Sequence, residues 1–444
     1  MNRHPLTVIG AWLVTLSAFA FLFVFFLDVF GIHHSPYVGL VFFVILPMFF
    51  VLGLLMIPAG AYLARRRIAK GLGPWVWPTI NFNEPRFQRG AAIIGALTVV
   101  NVLIVSLATY RGVEFMESTE FCGRVCHTVM EPEYVAHQDG PHSRIACVDC
   151  HVGSGVSSYI YYKLNGARQL AHLVTGHYPR PVPSPVFNLR PARNTCEQCH
   201  WPAKFHGDKV EVIPSFSDDE KNSPTPTTLV LHIGGGMPRF GLGAGIHWHT
   251  NTQIEIDYVA TDAKREVIPY VRVKGADGKV VEYKTADVTD AQIAAAGESR
   301  RMDCVDCHNR PTHTFAATPE RAVDGAIFAG AIPATLPFAR REAVQALKGE
   351  YPDRAAAESA IDQKLRAFYT SQSAPKADVD RLVSATQFLY GRNVFPIMKV
   401  TWGTHPNHVG HTDSAGCFRC HDDQHKAADG KVIRQDCELC HEMK

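Results

Sequence analysis

The sequence is short of three things, and each shortage excludes something. Net charge is nearly absent: 44 Lys and Arg stand against 42 Asp and Glu, a formal +2. A chain so close to neutral offers no broad basic face, so nucleic acid is not an expected partner. Cysteine is absent outside six short clusters, so no thiol is left over for an isolated nucleophile. Three long apolar runs, Leu6–Phe30, Tyr37–Leu63 and Ala91–Tyr110, contain no histidine. That excludes a b-type haem held by two histidines inside a bilayer. Their only acidic residue is Asp28, so no intramembrane proton relay of the kind pumps use is written there.

What is there is more specific. The 12 cysteines form six pairs, each closed by a histidine. They are Cys122/Cys126/His127, Cys147/Cys150/His151, Cys196/Cys199/His200, Cys304/Cys307/His308, Cys417/Cys420/His421 and Cys437/Cys440/His441. Cys147-Val148-Asp149-Cys150-His151 is a C-x-x-C-H sequence, the attachment signature of c-type haem. The two thiols add to the haem vinyl groups, and the adjacent imidazole becomes an axial iron ligand. The first pair has one extra residue in its spacer and still reaches both vinyls. Structural zinc and disulfides compete for such cysteines, but neither demands a histidine directly after the second one. Six covalent haems use every cysteine.

Covalent haem attachment takes place on the outer side of the bacterial cytoplasmic membrane, which sends everything after about residue 110 to the periplasm. Loop charge gives the same topology independently. Arg65, Arg66, Arg67 and Lys70 follow the second run, and Arg86 and Arg89 precede the third. Positive charge marks the cytoplasmic side. The N-terminus is then inside and the His33/His34 turn outside. Each run is long enough for a bilayer core of about 30 Å. Pro47, Gly53 and Pro58 in the second run are tolerated in membrane helices. The expected fold is a membrane protein with three N-terminal transmembrane helices. Beyond them lies a mainly α and irregular periplasmic multihaem domain with a β-rich insert. The expected divisions are a membrane anchor over 1–110, haems one to three over 111–208, the insert over 209–300, and haems four to six over 301–444.

Several segments carry their own signals. Tyr159 to His177 reads as an amphipathic helix lying against the membrane. Pro179 to Pro191 is an extended Pro-rich linker. Strand-like alternation runs over 210–213, 227–233, 253–261, 266–274 and 280–285, with a hairpin signal at Gly275-Ala276-Asp277-Gly278. His247 and His249, two apart on an expected strand, point to one face. Helical, alanine-rich segments cover about 319–347, 353–369 and 378–390.

Of 22 histidines, six are claimed by motifs as proximal ligands. For the second axial positions the favoured candidates are His142, His249, His313, His411 and His425, with Met130 for the first haem. The reserve is His137, His172, His177, His206, His232, His247, His405 and His408. A thioether ligand raises haem potential relative to imidazole.

Residues 111 to about 200 resemble the NapC/NirT/NrfH family of membrane-anchored multihaem quinol dehydrogenases. The resemblance rests on the first attachment motif, the methionine shortly after it (Met130), and a lysine about a dozen residues beyond His151 (Lys163). It implies that quinol is oxidised beside the first haem and that Lys163 lines the quinol pocket. The family's acidic residue, two turns past that lysine, has no counterpart in Arg168-Gln169-Leu170; Glu114, Glu117, Glu120 and Asp139 are the substitutes. Three membrane helices, an insert and six haems enlarge the family pattern toward the inner-membrane cytochromes of anaerobic respiration.

The expected activity is quinol dehydrogenation, with menaquinol as the expected substrate. Electrons pass to a periplasmic c-type cytochrome or reductase. A different class, an electron-conduit subunit of a larger membrane complex with no quinol site of its own, predicts a stable partner subunit instead. A reductase of small nitrogen compounds needs an open iron, and no C-x-x-C-K site is present.

Overall fold

A computed structural model describes residues 4–29, 46–73, 81–125, 127–153, 155–186, 190–235, 245–297 and 299–444. The chain divides into two compact units: residues 1–116 with 152–168, and residues 117–151 with 169–444.

The first unit is helical. Its elements are α1 (Pro5–Val29), α2 (Leu46–Ala69) and α3, which runs from Pro85 to Glu117. Among the described residues one stretch, Met48–Ala69, is by itself long and apolar enough to cross a membrane. α1 carries a shorter apolar section, Pro5–Ala20. α1 and α2 run antiparallel and touch through small residues. A Cβ on Gly10 would lie 2.8 Å from the Gly53 carbonyl oxygen, and one on Gly53 2.8 Å from that of Gly10. A Cβ on Gly60 would overlap Thr7. Backbones approach this closely only where side chains are missing, the usual solution for helices packed in lipid. Helix α2 continues past the expected end at Leu63, through Arg65, Arg66 and Arg67. Arginine is a good helix former and its charge suits a helix C-terminus. Phe30, the His33/His34 turn, residues 37–45 and residues 74–80 lie outside the described residues. The Tyr159 segment is helical, as α5 (Val156–Val174), after α4 (His127–Gln138) of the second unit.

In the second unit the strands gather into two sheets. β1 (Asp208–Ile213) pairs antiparallel with β2 (Thr227–His232), and β2 with β8 (His441–Met443). The other sheet has the order β6-β3-β4-β5-β7. Its strands are β3 (Glu255–Val259), β4 (Tyr270–Lys274), β5 (Val280–Lys284), β6 (Arg300–Arg301) and β7 (Lys426–Ala427). The β4–β5 hairpin turns at Gly275–Gly278, where Gly278 takes φ 78°. Both sheets are completed by strands from the C-terminal region, so the insert and that region share backbone hydrogen bonds.

Four helices without cysteine follow the fourth motif: α6 (Pro319–Phe328), α7 (Ala339–Leu347), α8 (Arg354–Thr370) and α9 (Lys376–Asn393). Thr318 caps α6 with Pro319 at its first position, and Asp353 caps α8 by accepting from Ala356 N at 2.8 Å. Ala357, Ile361, Leu365 and Tyr369 recur every fourth residue and are all buried. They meet Leu336, Leu347 and Leu382 in the largest core among the described residues. Asn222 is buried at φ 50°; its Nδ2 donates to the carbonyls of Ala334 and Leu336 and its Oδ1 accepts from Arg340 N. This one side chain ties the strand-rich segment to the helices.

Candidate metal centres

The attachment motifs fold as single tight turns. His200, His308 and His421 each donate their backbone N–H to the carbonyl of the first cysteine of their motif, at 2.8, 2.8 and 3.1 Å. The turn brings two sulfurs and one imidazole to one side. The first motif differs: Phe121–Val125 is a π-helical turn, which takes up the extra residue of its spacer. Gly123 in that turn lies against the Tyr134 ring, with no room for a Cβ. Cys126 and the side chain of His127 lie outside the described residues. Met130 follows on α4, half-buried.

Opposite each of the five motif histidines whose side chains are described stands another imidazole. The ring centres of His151 and His313 are 6.3 Å apart, those of His200 and His142 6.0 Å, and those of His308 and His247 6.3 Å. His421 faces His249 at 5.9 Å, and His441 faces His411 at 6.1 Å. Two imidazoles gripping one metal through nitrogens at about 2.0–2.1 Å have ring centres about 6 Å apart. The interval is too wide for ring-to-ring contact and right for an ion between them.

The hydrogen bonds agree with that spacing. Nδ1–H of His313 donates to the Glu133 carbonyl at 2.9 Å, that of His142 to Pro311 at 3.3 Å, and that of His247 to Ile233 at 3.2 Å. His249 does the same to Ile246 at 2.7 Å and His421 to Arg434 at 2.9 Å. Each bond fixes the proton on Nδ1 and leaves the Nε2 lone pair to face a metal, the arrangement found around metal-bound histidine. Burial holds several of these rings neutral, as ligation requires: it pushes His313 down to about 4 and lowers His151, His247, His249 and His308. The residues therefore fit covalently attached haem with two axial imidazoles.

Two expectations need correction. His425 is fully buried, but its Nδ1 meets Asp422 at 2.9 Å and its Nε2 meets the Ile268 carbonyl at 2.7 Å. Both nitrogens are committed, so it pins β7's approach to the sheet instead of facing a motif. His247 and His249 do not lie on a strand; they sit on the 3-10 turn Ile246–Thr250. With three residues per turn, positions two apart diverge, and the two rings face different motifs. His247, held in reserve from sequence, is the histidine opposite His308. Its signal was the Gly245 before it, at φ 98°, which starts a turn instead of a strand. His137 also lies 6.2 Å from His313, but its Nε2 is bonded to the Ile145 carbonyl at 3.0 Å.

Around His313 the environment is strongly charged. Arg310 donates twice to the Glu133 carboxylate, at 3.0 and 2.8 Å, and once to the His313 carbonyl at 2.7 Å. Burial alone raises the Glu133 pKa; the Arg310 guanidinium outweighs it and holds the carboxyl below its usual range. Lys163, on α5, places its ammonium 5.1 Å from the Tyr159 ring centre. Of the substitute acids, Glu114 pairs with Arg111 at 2.8 Å and Asp139 with Arg392 at 3.8 Å.

Residues 85–181 match the NapC/NirT cytochrome c family, N-terminal region. Over 452 aligned residues the chain is 42% identical to the cytochrome c-type protein ImcH of Geobacter sulfurreducens, covering 99% of this chain and 88% of that protein. The chain belongs to the NapC/NirT family of c-type cytochromes. As a member of this membrane-anchored family it carries covalently bound haem c and transfers electrons between redox partners. No solved structure matches it. The NapC/NirT match covers the first two attachment motifs, Met130 and Lys163, and stops before the third.

Proposed function

We propose that this NapC/NirT cytochrome is a hexahaem quinol dehydrogenase. It oxidises membrane quinol at the periplasmic face of the bacterial cytoplasmic membrane and passes electrons to a periplasmic acceptor. The observation that carries the reading is the extent of the family match, which takes in Met130 and Lys163 together with the first two motifs. Six haems account for all 12 cysteines. We assign His127 and Met130 to the first iron, and the five imidazole pairs to the others: His151 with His313, His200 with His142, His308 with His247, His421 with His249, and His441 with His411. The haem supplies a one-electron carrier whose potential follows its axial ligands.

In this reading the Lys163 ammonium donates a hydrogen bond to a quinol oxygen and favours the anion formed as the proton leaves. Glu114, Glu117 or Glu120 accepts protons on the outer side. Each quinol gives up two electrons and two protons, and two one-electron acceptors are reduced. α1, α2 and α3 are taken as three membrane spans, with the N-terminus and Arg65–Arg67 inside and the haem-bearing residues outside.

The test is stopped-flow reduction of the detergent-solubilised protein by a menaquinol analogue. Lys163→Ala is expected to slow haem reduction at least tenfold while dithionite still reduces every haem. Reduction at the wild-type rate removes the assigned pocket.

A further inference from the structure

We infer that the six attachment motifs form one row in chain order, entered at Cys122–His127 and left at Cys437–His441. The contacts run from motif to motif. His137, on α4 after the first motif, is bonded through Nε2 to the Ile145 carbonyl just before the second, at 3.0 Å. His142, shortly before Cys147, faces His200 of the third motif at 6.0 Å. Ala192 N, just before the third motif, donates to the Asp303 carboxylate, just before the fourth, at 3.2 Å. Arg419, inside the fifth motif, donates to the Asp306 carbonyl inside the fourth at 2.6 Å. His411 stacks on the Phe418 ring inside the fifth motif at 4.2 Å and faces His441 of the sixth at 6.1 Å. Each of these contacts links motifs that are consecutive in the chain.

Most of the opposing histidines fall within this succession; His313, just past the fourth motif, is the exception and faces His151 of the second. The turn Ile246–Thr250 serves motifs four and five together, through His247 and His249. His411, just before the fifth motif, serves the sixth. The last motif has a neighbour on one side alone, and its residues Cys437, Glu438 and Leu439 are exposed. Cys199 of the third motif is exposed as well, but that motif has neighbours on both sides. Electron tunnelling falls steeply with distance, so a row of touching sites carries electrons one at a time to its open end.

The direction of flow rests on the quinol reading; the row does not. Each hand-over oxidises one site and reduces the next by one electron. Two oxidised one-electron carriers, of the soluble cytochrome class, collect the pair at the Cys437 end.

The experiment uses full-length holoprotein with both cysteines of one motif changed to serine. With Cys196→Ser and Cys199→Ser, the quinol analogue is expected to reduce sites one and two and leave four, five and six oxidised until dithionite is added. Rapid reduction of all remaining haems overturns the row. Should that variant fail to fold, Cys437→Ser with Cys440→Ser removes only the last site. Delivery to a soluble one-electron acceptor then slows at least tenfold relative to reduction of the remaining haems by the quinol analogue; unchanged delivery overturns the exit. If quinol reduces no haem even in the wild type, the quinol reading fails alone. The row is then read from magnetic coupling between neighbouring ferric haems. The coupling of site five must change on removal of site six, and that of site two must not; the opposite result overturns the row.

Discussion

Replacing Arg310 by methionine tests the charged cluster beside His313. Arg310 and Glu133 are both well buried, with side-chain exposures of 7% and 14%. Methionine matches much of the arginine stem, so contact with the Phe315 ring, 5.0 Å from the guanidinium, is largely kept. What is lost is the charge partner of a buried carboxylate. Breaking a buried ion pair from one side costs about 3–5 kcal/mol, because the remaining charge stays desolvated. The pH dependence follows from the sign of the shift. Glu133 titrates lower in the folded protein than its ordinary 4.5. Its contribution is complete above that value and is lost as pH falls through the lower folded value. Without Arg310, burial dominates and the folded value rises, so the variant's deficit is largest near neutral pH and shrinks as Glu133 takes up a proton. Adding Glu133→Gln removes the stranded charge and brings stability back to within about 2 kcal/mol of wild type. The assay is denaturant titration of the detergent-solubilised holoprotein, followed in the Soret band at several pH values. A double variant as unstable as Arg310→Met alone refutes the stranded-charge argument. A redox titration adds a second readout. An unpaired anion beside His313 stabilises the ferric state, so one haem midpoint drops in Arg310→Met and returns in the double variant.

His247→Ala turns one haem high-spin in the ferric electron paramagnetic resonance spectrum. His425→Ala leaves the haem signals unchanged and lowers stability by about 1–3 kcal/mol, the cost of an unsatisfied buried group; a new high-spin signal there contradicts its structural role. The imidazole planes are nearly parallel for His247/His308, at 5°, and nearly perpendicular for His142/His200 and His249/His421, at 82° and 77°. The first pair should give an ordinary rhombic low-spin signal and the other two strongly anisotropic ones. His142→Ala must then remove an anisotropic signal, and loss of a rhombic one contradicts the pairing. Leu365→Ala, at a fully buried position of the α6–α9 core, costs about 2–5 kcal/mol in the same denaturant assay. A loss below about 1 kcal/mol means that core collapses around the deletion.

The motifs are legible in sequence because covalent attachment imposes a local spacing. The histidines opposite them are not, because they come from segments remote in the chain. His142, His249, His313 and His411 could be favoured for lying near a motif or in an ordered-looking turn, yet each faces the histidine of a different motif from the one nearest to it in the chain. The same nearness misled for His425, whose buried bonds to Asp422 and Ile268 no spacing reveals. Strand content over 208–284 was readable from alternation. The two- and three-residue strands β7 and β8 were not, since such short stretches carry no period. Helix ends shifted wherever arginine-rich flanks continued an apolar run, as at Ala69.

The positions of the opposing histidines bear on how the protein is made. A haem-bearing segment that crosses the membrane in chain order presents His142 before His200, His247 before His308, His249 before His421, and His411 before His441. On the proposed ligation, sites three to six each meet a partner imidazole that has already crossed the membrane. Site two is the exception, because His313 emerges long after His151. Its second imidazole would be missing until the segment just past the fourth motif has passed through. The Glu133–Arg310–His313 cluster would then be the latch that closes the early half of the molecule once the later half has arrived.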